Sequence, residues 1–140
     1  MTLPFRELVD AAPDGLIVCD QQGTVLLANA ETCRMFGYVR DELVGQKVDL
    51  LVPVGVRPRH HQYVAGFVAM PRLRPMGSGF ELHGRRKDGT EFPVEISLSP
   101  VQADAGLMIT AGIRDITERR ALESDKRRAT AYLKIGRAHV

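Results

Sequence analysis

The chain of 140 residues predicts an α+β fold, and three observations carry that prediction. Phe80 to Arg86 is followed by Lys87-Asp88-Gly89-Thr90. Phe92, Val94, Ile96 and Leu98 then alternate with Glu91, Pro93, Glu95, Ser97 and Ser99. An Asp-Gly turn ahead of a period-2 strand marks a hairpin with one face on a core and one in water. Leu16 to Asp20 and Thr24 to Ala28 are two apolar runs separated by the turn residues Asp20 to Gly23, a second hairpin signal. Between Asn29 and Met70, recurrent Gly and Pro cut the chain into small helices.

The remaining elements follow in order. Thr2 is placed to cap a lead-in helix over Leu3 to Ala11, with Pro4 in its first turn and Pro13 to Gly15 ending it. Asn29 caps a helix over Ala30 to Met35 that Gly37 closes, and Arg40 to Leu43 forms one further turn. After Pro53, Gly55 and Pro58, the stretch Arg59 to Met70 sets Tyr63, Val64, Phe67 and Val68 at helical spacing until Pro71 stops it. Pro71 to Gly79 reads as a loop. Pro93 lacks an N–H for a ladder and belongs near a strand start or pointing off the sheet. Gln102 to Ala105 is a polar loop before the last buried strand, Leu107 to Ile113. From Thr117 charge dominates: Glu118 to Lys134 has no Gly or Pro and only Leu122, Ala129, Tyr132 and Leu133 as an apolar stripe. That pattern reads as a connector helix in need of a partner.

Composition narrows the function classes. With 44% apolar and 26% charged residues, 13 Gly and 8 Pro, disordered, collagen-like and low-complexity classes drop out. A chain of this length buries about 68% of its unfolded surface, enough for one core. Lys plus Arg exceeds Asp plus Glu only by 19 to 17, which argues against direct nucleic-acid binding. No apolar run approaches a membrane span of about 20 residues, and Met1 to Val9 lacks the pattern of a secretory signal. Cys19 and Cys33 have neither metal-ligand nor disulfide-scaffold spacing, so both are expected as free core thiols in a reducing, cytoplasmic setting. His61, His83 and His139 have no zinc spacing, and no metal site is expected. There is no phosphate loop, no Gly-x-Ser-x-Gly elbow and no paired His and acid at catalytic spacing, so no catalysis is expected within these residues. Ile135 to Val140 is the peptide that a common sequencing adapter encodes in frame (ATC GGA AGA GCA CAC GTC). Residues 135–140 are therefore expected to be read-through and are set aside from the fold, the alternative being a natural end.

The order Asn29, Phe36-Gly37-Tyr38, Glu42-Leu43-Val44-Gly45, Arg86-Lys87-Asp88-Gly89-Thr90-Glu91-Phe92-Pro93-Val94-Glu95 and Arg114-Asp115-Ile116-Thr117-Glu118-Arg119 resembles a PAS domain over about Phe5 to Arg120. The resemblance implies a five-stranded antiparallel sheet with short helices packed on one face and a C-terminal connector helix. The expected organisation is a lead-in helix over 1–12, the PAS domain over 13–116 and a signalling helix over 117–134.

It further implies a sensory and dimerisation module of a longer bacterial signalling protein: a histidine kinase, a diguanylate cyclase or a transcriptional regulator. A homodimer, a downstream effector and a small-molecule ligand between sheet and helices are the implied partners. Asp115 and Thr117 stand where the last strand becomes the connector, and either can cap that helix. Coupling strand to helix is the role the resemblance implies for them, and plain capping explains their residue types equally well. Glu42 and Lys87 stand at positions that form a surface salt bridge in many PAS domains. Such an exposed pair tunes a domain and does not hold it together.

Two cofactor-binding branches of that family bear on the ligand. Light-sensing flavin domains carry a reactive cysteine in a Gly-Arg-Asn-Cys-Arg-Phe run; here Gly45-Gln46-Lys47-Val48-Asp49-Leu50 puts Val48 there, which excludes flavin–thiol photochemistry. The haem PAS domains of oxygen-sensing nitrogen-fixation kinases hold iron through one histidine in an Arg-His-x-x-Tyr setting, which Arg59-His60-His61-Gln62-Tyr63 resembles. His60, Val64 and Phe67 share a helical face, as an axial ligand with apolar neighbours requires. Gly66 and Phe80 stand where that branch has arginines for the haem, so a structural, hydrogen-bonded His60 is weighted above a haem ligand. A ligand-free interaction scaffold is the third reading.

Overall fold

A computed structural model describes residues 3–70, 74–75 and 82–138. The helices are α1 (Phe5–Asp10), α2 (Ala30–Phe36), α3 (Arg40–Leu43), α4 (Arg57–Ala69) and α5 (Thr117–Ala138), with 3₁₀ turns at Val48–Leu51 and Val54–Val56. The strands are β1 (Gly15–Cys19), β2 (Val25–Ala28), β3 (Arg74–Pro75), β4 (Leu82–Arg85), β5 (Glu91–Ala103) and β6 (Gly106–Asp115). All pair antiparallel in the order β2-β1-β6-β5-β3, and β4 also pairs with β5. The five expected strands are all present. The two-residue β3, in what reads as a loop, pairs Arg74 and Pro75 with Leu98 and Ser97, so β3 and β4 share one edge of β5.

Local chemistry sets these elements. Asp20 Oδ1 accepts from the backbone of Gln22 and Thr24 across the first hairpin. In the second, Asp88 Oδ1 accepts from the N–H and hydroxyl of Thr90, and Gly89 takes φ 91°, a left-handed backbone that glycine adopts without penalty. The β5 alternation buries Phe92, Val94 and Leu98 and exposes Glu91, Glu95 and Ser97. Pro93, near the strand start, accepts from Ile116 N–H through its carbonyl.

Several boundaries differ from expectation. Pro4, not a threonine, is the residue ahead of α1, and it gives no side-chain cap; Thr2 lies outside the described residues. Pro58 falls inside α4, in its first turn, where a missing N–H leaves no bond unmade. β5 and β6 extend across the expected polar loop and leave only Asp104 and Ala105 as the turn. The expected strand start at Phe80 and most of the 71–79 loop lie outside the described residues. α5 runs to Ala138, beyond the expected 134; Gly136 weakens a helix by about 1 kcal/mol and does not by itself end one.

The core forms where α2, α3 and the 3₁₀ turns pack on the sheet. Ile17, Val25, Met35, Phe36, Leu43, Phe92 and Ile113 are all at most 5% exposed. Phe67 of α4 is fully buried against Leu98 and Ile109. Asn29 is also fully buried. Its Oδ1 accepts from Leu16 N–H, Thr32 N–H and Thr32 Oγ1–H, and its Nδ2 donates to the carbonyls of Val9 and Asp14. One side chain thus caps α2, ties β1 to it and holds the end of α1, with its hydrogen-bonding capacity used.

Candidate functional site

Between the inner sheet face and α4 with the 3₁₀ turns lies a cavity of about 510 Å³. Its floor is apolar, with Ile17, Val94, Ile96, Leu98, Ile109 and Ile113 from the sheet facing Val48, Leu51 and Phe67. That size and lining suit a small-molecule site. Beside the Cys19 thiol, Arg59, His60, Tyr63, His83 and Glu91 are the polar and titratable side chains on its wall. α4 therefore brings His60, Tyr63, Val64 and Phe67 to one cavity, the grouping expected from their spacing.

His60 is held in place. Its Nδ1 lies 2.9 Å from Asp49 Oδ1, and His61 Nε2 lies 2.6 Å from Asp49 Oδ2. The His60 side chain is 12% exposed and that of His61 64%. Burial pushes the Asp49 carboxyl up, but the bonds from His61 and His60 outweigh it and keep the group below the usual carboxylate range. Sequence reasoning missed Asp49, because the contact links a 3₁₀ turn to α4 across a Pro- and Gly-broken stretch. Cys19, also on the cavity wall, has its thiol pushed up to about 12 by burial, with Asp20 and Asp49 adding to the effect. It is a neutral apolar wall group, not a nucleophile. Cys33 is likewise a free thiol raised by burial. Among the described residues no group of side chains has metal-site geometry.

A series of contacts leads from the cavity to the connector. Phe36, on the cavity wall, meets Phe92 edge-on with ring centroids 5.2 Å apart. The Arg86 guanidinium stacks on the other ring of this pair, donates to Met35 O and reaches Asp115 Oδ2 at 3.4 Å. Asp115 Oδ1 accepts from Thr117 N–H and Oγ1–H. Asp115 therefore receives the first N–H of α5, while Thr117 lies inside the helix and donates back; of the two, Asp115 does the capping. Arg119 of α5 forms a two-pronged pair with Glu95.

Glu42 and Lys87 are paired, Nζ to Oε2 at 2.5 Å, with side chains 35% and 54% exposed. Glu42 Oε1 also accepts from Val39 N–H at the start of α3. The Lys87 bond first, and the Val39 bond with it, hold the Glu42 carboxyl below its ordinary range.

The family model described as "PAS domain" matches residues 13–118. Sensor protein FixL of Bradyrhizobium diazoefficiens is 32% identical over 114 residues, which is 81% of this chain and 23% of that protein. Oxygen sensor protein DosP of Escherichia coli is 27% identical over 113 residues, 81% of this chain and 14% of that protein. The chain thus spans less than a quarter of the length of these relatives. The PAS domain of a protein from Colwellia psychrerythraea superposes with a TM-score of 0.70 at 23% identity, over 80% of this chain and 93% of that one. An RNA-binding light-oxygen-voltage receptor superposes at 0.71 and 22%, over 97% of this chain and 38% of that one. These two likenesses concern the fold alone. From its matching residues, its sheet order and its helices, this chain belongs to the PAS domain family.

Proposed function

We propose that this chain is the sensory module of a longer signalling protein, binding a small molecule in the core cavity and passing its state to α5. The single observation carrying this reading is the apolar 510 Å³ cavity, whose wall residue Phe36 begins the contact series through Phe92 and Arg86 to Asp115. A ligand that fills the cavity differently in two states can bias the connector through contacts of this kind. The effector is a histidine kinase, diguanylate cyclase or transcriptional regulator; catalysis belongs to that effector, and its setting is cytoplasmic. In support, among the described residues no helix is long and apolar enough to cross a membrane. Homodimerisation runs through α1, the residues leading into it and α5, where Leu3, Phe5, Leu8 and Leu122 are more than half exposed.

Native mass spectrometry of the protein purified from cells tests this reading. A retained small molecule that Ala111→Phe, a substitution on the cavity wall, displaces is the expected result. No retained molecule, with an intact dimer, favours the ligand-free scaffold instead.

A second reading has its own observation, the Asp49–His60 bond. Residues that ligate metal through one imidazole nitrogen commonly give the other N–H to a carboxylate. The wall fits an apolar macrocycle held by His60 among Val64 and Phe67, with Arg59 as the cation beside it; Gly66 offers none, and Phe80 lies outside the described residues. When bound, such a haem supplies an iron that responds to a gas or to redox state. An absorption spectrum of the protein made with haem supplied decides it: a Soret band lost in His60→Ala supports haem, and a featureless spectrum in both removes it.

A further inference from the structure

We propose that Asp49 is the positioning residue for His60, holding the ring by Nδ1–H so that Nε2 is the one bare nitrogen offered to a ligand in the core cavity. This rests on reading the cavity as the sensory site. An ionised carboxylate only accepts hydrogen bonds, so a ring nitrogen 2.9 Å from Asp49 Oδ1 must carry a hydrogen. In a neutral imidazole that fixes the tautomer, because the second nitrogen is then unprotonated. His60 is on the cavity wall and mostly buried, so its remaining nitrogen is a directed electron-pair donor beside an apolar floor.

Geometry makes Asp49 suited to this work. It sits in the 3₁₀ turn Val48–Leu51, whose Val48 and Leu51 line the same cavity, so the carboxylate is carried just behind that wall, within reach of His60 on α4. His61 occupies its second oxygen through Nε2. The two adjacent imidazoles therefore take opposite tautomers: His60 protonated on Nδ1, and His61 on Nε2. The exposed His61 braces the carboxylate from the solvent side, and the buried His60 is the one presented to the cavity.

Long-range proton–nitrogen correlation spectra of the full chain labelled with ¹⁵N-histidine, recorded at pH 8.5, test the assignment directly. The expected result is His60 with a protonated Nδ1 and a bare Nε2, His61 with the reverse, and loss of the His60 preference in Asp49→Ala. His60 protonated on Nε2 in the parent overturns the proposal, as does an unchanged His60 pattern in a folded Asp49→Ala. Should Asp49→Ala not fold, His61→Ala serves: Asp49 is then left to His60 alone, and a His60 tautomer that changes overturns the proposal.

Hemin is the binding probe for the second arm. A 10–100-fold weaker affinity in Asp49→Ala, with the same cavity residues in place, is the expected loss of an orienting carboxylate; equal affinity overturns the positioning role. Failure of hemin to bind even the parent removes the haem reading only, because the tautomer is read on the ligand-free protein.

Discussion

The Arg86 guanidinium carbon lies 4.0 Å above the centroid of the Phe92 ring, which places a cation on the buried aromatic pair between the cavity and the connector. Its side chain is 33% exposed, so the stacking is worth about 0.5–2 kcal/mol. Arg86→Met keeps most of the apolar contact and removes both the charge and the reach to Asp115. The expected outcome is a loss of about 1 kcal/mol in urea unfolding, with faster amide exchange in residues 115–120. Unchanged exchange there would show that Arg86 does not hold the connector.

Asn29→Ala should be the most damaging single change outside the large apolar core. It orphans the N–H groups of Leu16 and Thr32 and the Asp14 carbonyl at once, and leaves the Val9 carbonyl with the Ala12 N–H alone, around a fully buried side chain. Buried groups left without partners cost about 1–3 kcal/mol each, so a total of about 3 kcal/mol or more is expected from equilibrium unfolding. Exchange in α1 should also rise, because the Val9 carbonyl loses its anchor.

Gly84→Ala tests how tightly the aromatic pair is seated. A methyl built there meets Phe36 Cε1 at 2.8 Å and Phe92 Cε1 at 3.1 Å, so Phe36 must leave its place on the cavity wall. Overpacking of this kind costs about 1–3 kcal/mol. Calorimetry should show that loss, together with weaker binding of whatever molecule co-purifies with the parent.

Cys19 gives a pH-dependent signature. Its folded thiol is pushed up from 9.0 to about 12, so the folded state resists ionisation that the unfolded chain undergoes from pH 9 upward. The stability this group contributes is complete below pH 9 and is lost as pH rises toward 12. Parent minus Cys19→Ala, measured by urea unfolding, should fall by about 1–2 kcal/mol between pH 8 and 10.5. In the native protein at pH 8, the partly exposed Cys33 should react with a thiol reagent well before Cys19.

How much was legible in the sequence depends on the range over which each residue acts. The Asn29 cap, the Gly37 stop, the Asp88-Gly89 turn and the β5 alternation are local, and each could be read from its neighbours. The α4 stripe also placed His60, Tyr63, Val64 and Phe67 together, since helical spacing alone decides which side chains share a face. What escaped is what folding brings together. Asn29 reads as a helix cap, but three of its five bonds go to residues 13 to 20 positions away. Arg86 acts through partners 29 and 51 residues distant, and no local pattern marks it apart from other arginines. Asp49 looked like one acid in a short polar run until a turn folded it against α4.

The sheet order also bears on how the protein is made. β1 lies between β2 and β6, and β5 pairs with β6 but not with β1, so the two hairpins that leave the ribosome first and second share no ladder of their own. Gly15 pairs with Ile113 and Cys19 with Ile109, contacts that close most of the chain into a loop and are slow to find. Until residues 106–115 have been synthesised, the nascent chain is two separate half-sheets with the cavity floor divided between them. The core cavity therefore comes into being last, in the same event that delivers the strand from which the connector departs.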